Sequence, residues 1–212
     1  MKKRKMEKNL IKRDRIEKII LEIALELARE GKGALFVISD KVEYKNLFKQ
    51  KIKPFSVFSK GAQKILKHLA ELDGAVIINS KGIVKDYGAM IKAEKTFKGF
   101  GTRHSAAFSA SKKGIAILCS EEEKKVKIFK DGKYIMQLDP LQKNVEKGIP
   151  AVVSVLEVIG AGTVGTVGAM TIAPHAGIAF LPGVLVFGVS YYALKKIAET
   201  LNLRELLRKI KK

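Results

Sequence analysis

Apolar positions recur at helical spacing early in the chain. Ile16, Ile19, Ile20, Ile23, Ala24 and Leu27 share one stripe, while Glu17, Lys18, Glu22, Glu26 and Arg29 take the other face. The pattern predicts an amphipathic helix from Asp14, ended by Gly31-Lys32-Gly33. Ala34 to Ile38 reads as a buried strand and Phe55 to Phe58 as a short second one. Ser59 is placed to N-cap a helix whose buried stripe is Ile65, Leu66, Leu69 and Ala70. Ala75 to Ile78 and Ile83 to Tyr87 read as strands joined by the tight turn Asn79-Ser80-Lys81-Gly82. After a lysine-rich segment from Lys92 to Lys98, Ser105 to Lys113 predicts a short helix and Ile115 to Cys119 a central strand. Val126 to Phe129 and Tyr134 to Leu138 then form a hairpin around Asp131-Gly132. The expected fold class is α/β, a mixed central sheet flanked by helices.

Beyond Pro140 the pattern changes. Ile149 to Ile172 carries Glu157 as its one charge, Pro174-His175-Ala176-Gly177 interrupts it, and Ile178 to Leu194 carries none. Each half approaches the length of a membrane-spanning helix, and lysines (Lys143, Lys147, Lys195, Lys196) flank only the outer ends. Gly160, Gly162, Gly165 and Gly168 would let two helices approach closely. The expectation is an apolar helical hairpin over residues 149–194, spanning a membrane from its cytoplasmic face or buried as a helical pair in a cytoplasmic oligomer. The chain thus divides into a basic arm with the amphipathic helix (1–30), an α/β domain (31–138), and the hairpin with a basic tail (139–212).

Charge narrows the partners. The 212 residues carry 41 Lys and Arg against 21 Asp and Glu, a net charge of +20. That balance suits an anionic partner such as a nucleotide, nucleic acid or an anionic membrane face, or simply a soluble lysine-rich surface. The single cysteine, Cys119, lies in an apolar run, so a core role in a reducing compartment is expected. Met1 to Arg13 reads as a frayed basic arm, and Met1 to Lys18 lacks the apolar core of a secretory signal.

Two stretches concentrate the polar chemistry. Leu72-Asp73-Gly74-Ala75-Val76-Ile77-Ile78 puts a carboxylate beside a glycine at the start of a buried strand. Gly101-Thr102-Arg103-His104-Ser105-Ala106-Ala107 puts a hydroxyl, a guanidinium and an imidazole at a loop entering a helix. Carboxylates hold metal ions, and a glycine-led turn with Arg and His can cradle phosphates, so a nucleotide site is expected. Glu121-Glu122-Glu123 is by default a solvated turn. Following a central strand, its first members could also face Asp73 and share a metal. His68 and His175 read as surface and turn residues. No Cys/His zinc spacing, Walker-type loop or Ser/His/Asp set stands out.

In order and spacing these motifs resemble the diadenylate cyclase catalytic domain, found in the DNA-integrity scanning protein and in membrane-bound bacterial cyclases. The resemblance covers roughly residues 15 to 138. It is carried by Gly33-Ala34-Leu35-Phe36-Val37-Ile38, by Leu72 to Ile78, by Gly101 to Ala107 and by Leu118-Cys119-Ser120-Glu121-Glu122. It implies condensation of two ATP into cyclic di-AMP and two pyrophosphates, aided by Mn²⁺ or Mg²⁺, between half-sites facing each other in a homodimer. Asp73, with Glu121 or Glu122, would hold the metal. Gly74 and Ala75 would allow close backbone approach, and Gly101, Thr102, Arg103, His104 and Ser105 would grip the triphosphate. Tyr87 to Met90 would lie near the adenine. Asp73, Arg103 and His104 would be the catalytic group. One departure stands out: the family commonly has Arg-His-Arg, and the third position here is Ser105, a loss that Lys112 or Lys113 could offset. Nothing resembles a helix-hairpin-helix module, so no specific nucleic-acid binding is implied.

Overall fold

The computed structural model describes residues 2–93, 101–160, 164–165, 178–180 and 185–186. Helix α1 (Lys2–Arg29) opens the chain and is followed by strand β1 (Ala34–Ile38), fully buried along its length. Two short strands, β2 (Lys45–Asn46) and β3 (Phe55–Ser56), precede helix α2 (Ala62–Glu71). Strands β4 (Ala75–Ile78) and β5 (Ile83–Met90) come next, then helix α3 (Thr102–Ser111). A meander of β6 (Ile115–Ser120), β7 (Lys125–Lys130) and β8 (Lys133–Leu138) leads through a 3₁₀ turn, Val145–Gly148, into helix α4 (Ile149–Gly160).

The strands form one mixed sheet in the order β8-β7-β6-β1-β4-β5-β2, with β3 also paired to β5. Among the described strands only β1 and β4 run parallel, in the register Phe36 to Val76, because α2 returns the chain to the same end of the sheet. β1 pairs antiparallel with β6 on its other side. The two innermost strands therefore start near one sheet end with Gly33 and Asp73, and β6 finishes there with Ser120 and Glu121.

The two faces of the sheet are covered unequally. On one face, α1, α2 and α4 bury a continuous core that includes Ile20, Leu21, Leu66, Phe36, Val76, Ile117 and Leu156. On the other, α3 packs small residues (Ala107, Ala110) over Leu35, Val37, Ile77, Ala116 and Leu118.

Several expectations change here. Residues 2–13 belong to α1 instead of forming a frayed arm, since Lys, Arg, Met and Glu are good helix formers and no Gly or Pro intervenes before Gly31. The buried stripe of α1 is also wider than its periodicity indicates. Leu21, Leu25 and Ala28 are buried because the helix packs against β6, β7, α2 and α4, and Glu17 is buried with them, accepting a 3.0 Å hydrogen bond from Arg13. Gly61, not Ser59, caps α2, and Ile65 is half exposed while Ala62 takes its place in the core. Helix α3 starts at Thr102, three residues earlier than the apolar pattern indicates.

Of the expected hairpin over 149–194, the first 12 residues form α4, and most of the rest lies outside the described residues. Ile178–Phe180 is extended and pairs antiparallel with β8, as β10, after a two-residue strand β9 (Val164–Gly165) that pairs with β11 (Leu185–Val186). At those residues the helical reading fails, because the free edge of β8 offers backbone hydrogen bonds to the apolar segment. Among the described residues no helix is long and apolar enough to cross a membrane.

Candidate active site

Three close backbone approaches build the site. Gly74 has φ +92, and a Cβ there would sit 2.5 Å from the carbonyl carbon of Gly88. Gly88 has φ +59 and is overlaid by the Phe48 ring, which a Cβ would meet at 2.3 Å. The chain before β4 thus crosses β5 at a glycine pair, where the β4–β5 register shifts, and this crossing sets Asp73 at the sheet edge. The Asp73 carboxylate accepts the Gly74 N–H at 3.0 Å, and its side chain is 79% exposed. The third approach is at Gly33, just before β1. A Cβ there would lie 2.3 Å from Arg103 Nη1, so the missing side chain is the space in which the guanidinium lies.

Arg103 reaches that space from the first turn of α3. Its Nη2 stands 3.6 Å from Asp73 Oδ1 and its Nη1 3.9 Å from Glu121 Oε2. Motifs far apart in sequence are thereby drawn into one row of carboxylate, guanidinium and carboxylate. Glu121 is the member of the acidic trio that joins Asp73. Glu122 lies in the exposed turn and Glu123 pairs with Lys127.

Beside this row opens a cleft of about 870 Å³. Thr102, Arg103, Ser105 and Ala106 form its α3 wall, Asp73 and Gly74 its floor edge, and Leu35, Tyr44, Leu47, Met90 and Ile91 an apolar wall. Ser105 is buried at its base. The apolar wall, with Glu43, Lys45 and Lys92 among its neighbours, stands beside a guanidinium, a hydroxyl and the N-terminal end of a helix, which suits a ligand with a flat apolar group and an anionic tail.

Several expected residues sit elsewhere. Tyr87 faces the α1 and α2 side of the sheet, where it stacks on Phe48 at 5.4 Å and its hydroxyl donates to the Gln50 carbonyl. Pleating turns alternate side chains to opposite faces, so Tyr87 and the cleft-lining Met90 cannot be read as one group. Ala75 is buried beneath the cleft. Gly101 has φ −66, and a Cβ at that position would meet nothing within 4 Å, so neither strain nor space requires glycine there. Lys112 lies over the Phe108 ring and Lys113 pairs with Glu43, so neither lines the cleft as a substitute for the arginine absent at Ser105.

His104 is also not a cleft-lining residue. Its Nε2 lies 3.0 Å from Nζ of the buried Lys127 on β7, and Lys127 in turn pairs with Glu123. Desolvation, with the Lys127 charge adding to it, holds the His104 pKa below the usual 6.5, against the opposing pull of Glu123 and Glu122. Cys119 is buried, its thiol donates to the Ala24 carbonyl, and burial pushes its pKa far up, which makes it inert. Sequence reasoning did not single out Lys127, Tyr44, Leu47 or Gly88. Lys127 reads as one more hairpin lysine, and the cue to Gly88 is a glycine inside a strand pattern.

The carboxylates fit a divalent cation. Asp73 and Glu121 offer hard, solvent-accessible oxygens at one edge, suited to an ion that keeps several waters and takes the rest of its shell from phosphates. Among the described residues no group of three or more His, Cys, Asp or Glu converges, so an all-protein cage is not built.

Residues 22–134, more than half of the chain, match the family model described as DAC, DisA bacterial checkpoint controller nucleotide-binding, and the chain belongs to that family. Among curated proteins it is similar to a diadenylate cyclase of Methanocaldococcus jannaschii, 34% identical over an alignment of 145 residues, which covers 61% of this chain and 47% of that protein. It is also similar to a diadenylate cyclase of Haloferax volcanii, 31% identical over an alignment of 140 residues, which covers 57% of this chain and 51% of that protein. The chain spans about half the length of these relatives. Solved structures that align with it include DacA from Staphylococcus aureus (TM-score 0.41, 21% identity, 57% of this chain and 84% of that one). Another is a hypothetical membrane spanning protein from Bacillus cereus (TM-score 0.41, 18% identity, 55% and 60%).

Proposed function

We propose that this chain is a diadenylate cyclase, joining two ATP into cyclic di-AMP with release of two pyrophosphates. Each 3′-hydroxyl attacks the α-phosphorus of the other ATP. A P–O bond forms at each, the bond to the β-phosphate oxygen breaks, and the hydroxyl proton is lost. Two attacks in opposite senses need two half-sites face to face, so the working unit is a homodimer related by a two-fold axis. The observation that carries this reading is the Asp73–Arg103–Glu121 row beside a cleft lined by apolar side chains and the first turn of α3.

The apolar wall of Leu35, Tyr44, Leu47, Met90 and Ile91 takes the adenine. Thr102, the α3 N–H groups and Arg103 bind phosphate oxygens, and Arg103 offsets the charge that develops on the leaving pyrophosphate. Asp73, held rigidly by the Gly74–Gly88 crossing, faces the attacking hydroxyl. Asp73 and Glu121 would hold Mn²⁺ or Mg²⁺, which supplies charge neutralisation and a more acidic hydroxyl. Ser105 favours a second reading, a module that binds ATP or cyclic di-AMP without turnover, because the usual second arginine is missing from the grip. Mass spectrometry after incubation with ATP and Mn²⁺ separates the two. Cyclic di-AMP supports the cyclase, and tight nucleotide binding without product under varied metals supports the binding module.

A further inference from the structure

The Lys127–His104–Glu123 group lies on the side of α3 away from the cleft, and the proposed chemistry leaves it without a task. Lys127 is 2% exposed, a rare state for a lysine, and its ammonium also lies 5.7 Å from the centre of the Tyr134 ring. The desolvation that such burial costs is offset here by a carboxylate, an aromatic face and an imidazole nitrogen. An ammonium has three N–H donors and no lone pair. At 3.0 Å from His104 Nε2 it can only donate, because two N–H groups pointed at each other would repel. The ring nitrogen must therefore carry the lone pair.

We propose that Lys127 is a positioning residue that fixes His104 as the neutral tautomer with its proton on Nδ1. Glu123 pairs with Lys127 and aims it, and Lys127 holds the imidazole against β7. His104 directly follows Arg103 in the first turn of α3, where its N–H donates to the Gly101 carbonyl at 3.0 Å. Anchoring the ring thus anchors the turn that aims Thr102 and Arg103 into the cleft. It also excludes His104 Nε2 as a general base, leaving the ring a prop with one N–H at Nδ1. The lowered His104 pKa agrees with a ring that stays neutral. The catalytic consequence rests on the proposed cyclase reading, whereas the tautomer does not.

The test is ¹⁵N NMR of the three histidine rings in the full chain, with His104 assigned by its loss in His104→Gln. The expected wild-type spectrum has a protonated Nδ1 and an unprotonated Nε2 at about pH 7. Lys127→Met should move the proton toward Nε2 and lower cyclic di-AMP formation about tenfold, the worth of one charge-assisted hydrogen bond. Lys127→Arg should retain the wild-type tautomer. A wild-type ring protonated on Nε2 or on both nitrogens overturns the proposal, as does an unchanged spectrum in Lys127→Met. If Lys127→Met does not fold, the wild-type spectrum alone decides. The expected tautomer in a protein that makes no cyclic di-AMP would overturn the cyclase reading and leave this one standing.

Discussion

The two faces of the sheet differ in what they are made of. The face under α1, α2 and α4 is lined with Ile, Leu, Val and Phe, and three helices cover it. The face under α3 interleaves alanines (Ala75, Ala89, Ala116) with Leu35, Val37, Ile77, Leu118 and Phe129, and among the described residues one helix covers only part of it. Where α3 stops, the 870 Å³ cleft begins, with Asp73, Arg103 and Glu121 at its edge. Stability is concentrated on the well-covered face and binding surface on the sparsely covered one. Small residues on the second face let a helix N-terminus and a glycine crossing come close together at one edge of the cleft.

This contrast can be broken most sharply at Arg103. Replacing it with Ala should lower cyclic di-AMP formation by about 10² to 10³, the usual loss for one preorganised charge-stabilising group. Its two long, partly exposed ion pairs contribute under about 1 kcal/mol to stability, so the thermal midpoint should barely move. Leu66→Ala is the converse. Removing a fully buried side chain of the covered face should cost about 2–5 kcal/mol in denaturant unfolding while the folded protein keeps its nucleotide affinity.

Gly74→Ala tests the crossing that joins the faces. With φ +92 and Gly88 backbone 2.5 Å from the new Cβ, it should cost about 1–3 kcal/mol and displace Asp73, so both stability and turnover should fall. If it is neutral in both, the crossing does not set Asp73.

A smaller effect is expected from pH. The folded His104 pKa lies below its unfolded value of about 6.5, so the unfolded chain binds the proton first as pH falls. The contribution of His104 to stability is complete above about pH 6.5 and is lost progressively as pH falls through the folded value. Urea midpoints of wild type and His104→Gln should therefore converge or cross between about pH 7.5 and 5.5, the wild type losing more. Smallest of all, Cys119 should not react with a thiol reagent in the folded protein, whereas it reacts once unfolded.

The sequence was most legible where one periodicity governs one face. The buried strands at 34–38, 75–78 and 115–120 and the hairpin at 125–138 follow directly from apolar runs and turn residues. Asp73 and Arg103 were legible as motif members, and their meeting follows from β1 and β4 being parallel neighbours. What stayed hidden depends on contacts distant in sequence. Glu17 looks like a solvent-facing glutamate until the packing of α1 buries it beside Arg13. Tyr87 and Met90 look like neighbours until the pleat of β5 turns them to opposite faces. Lys127 is indistinguishable from the surrounding lysines until β7 is laid beneath α3.

The central claim is that the nucleotide binds on the sparsely covered face. Hydrogen–deuterium exchange with and without a non-cleavable ATP analogue and Mn²⁺ tests it directly, because a second hollow of about 470 Å³, lined by Glu22, Glu26, Lys64 and Lys67, lies on the opposite face as an internal control. Protection should appear at 43–47, 73–75, 89–93 and 101–106 and leave 16–28 and 62–71 unchanged. Protection confined to 16–28 and 62–71, or none at a saturating analogue concentration, would contradict the account.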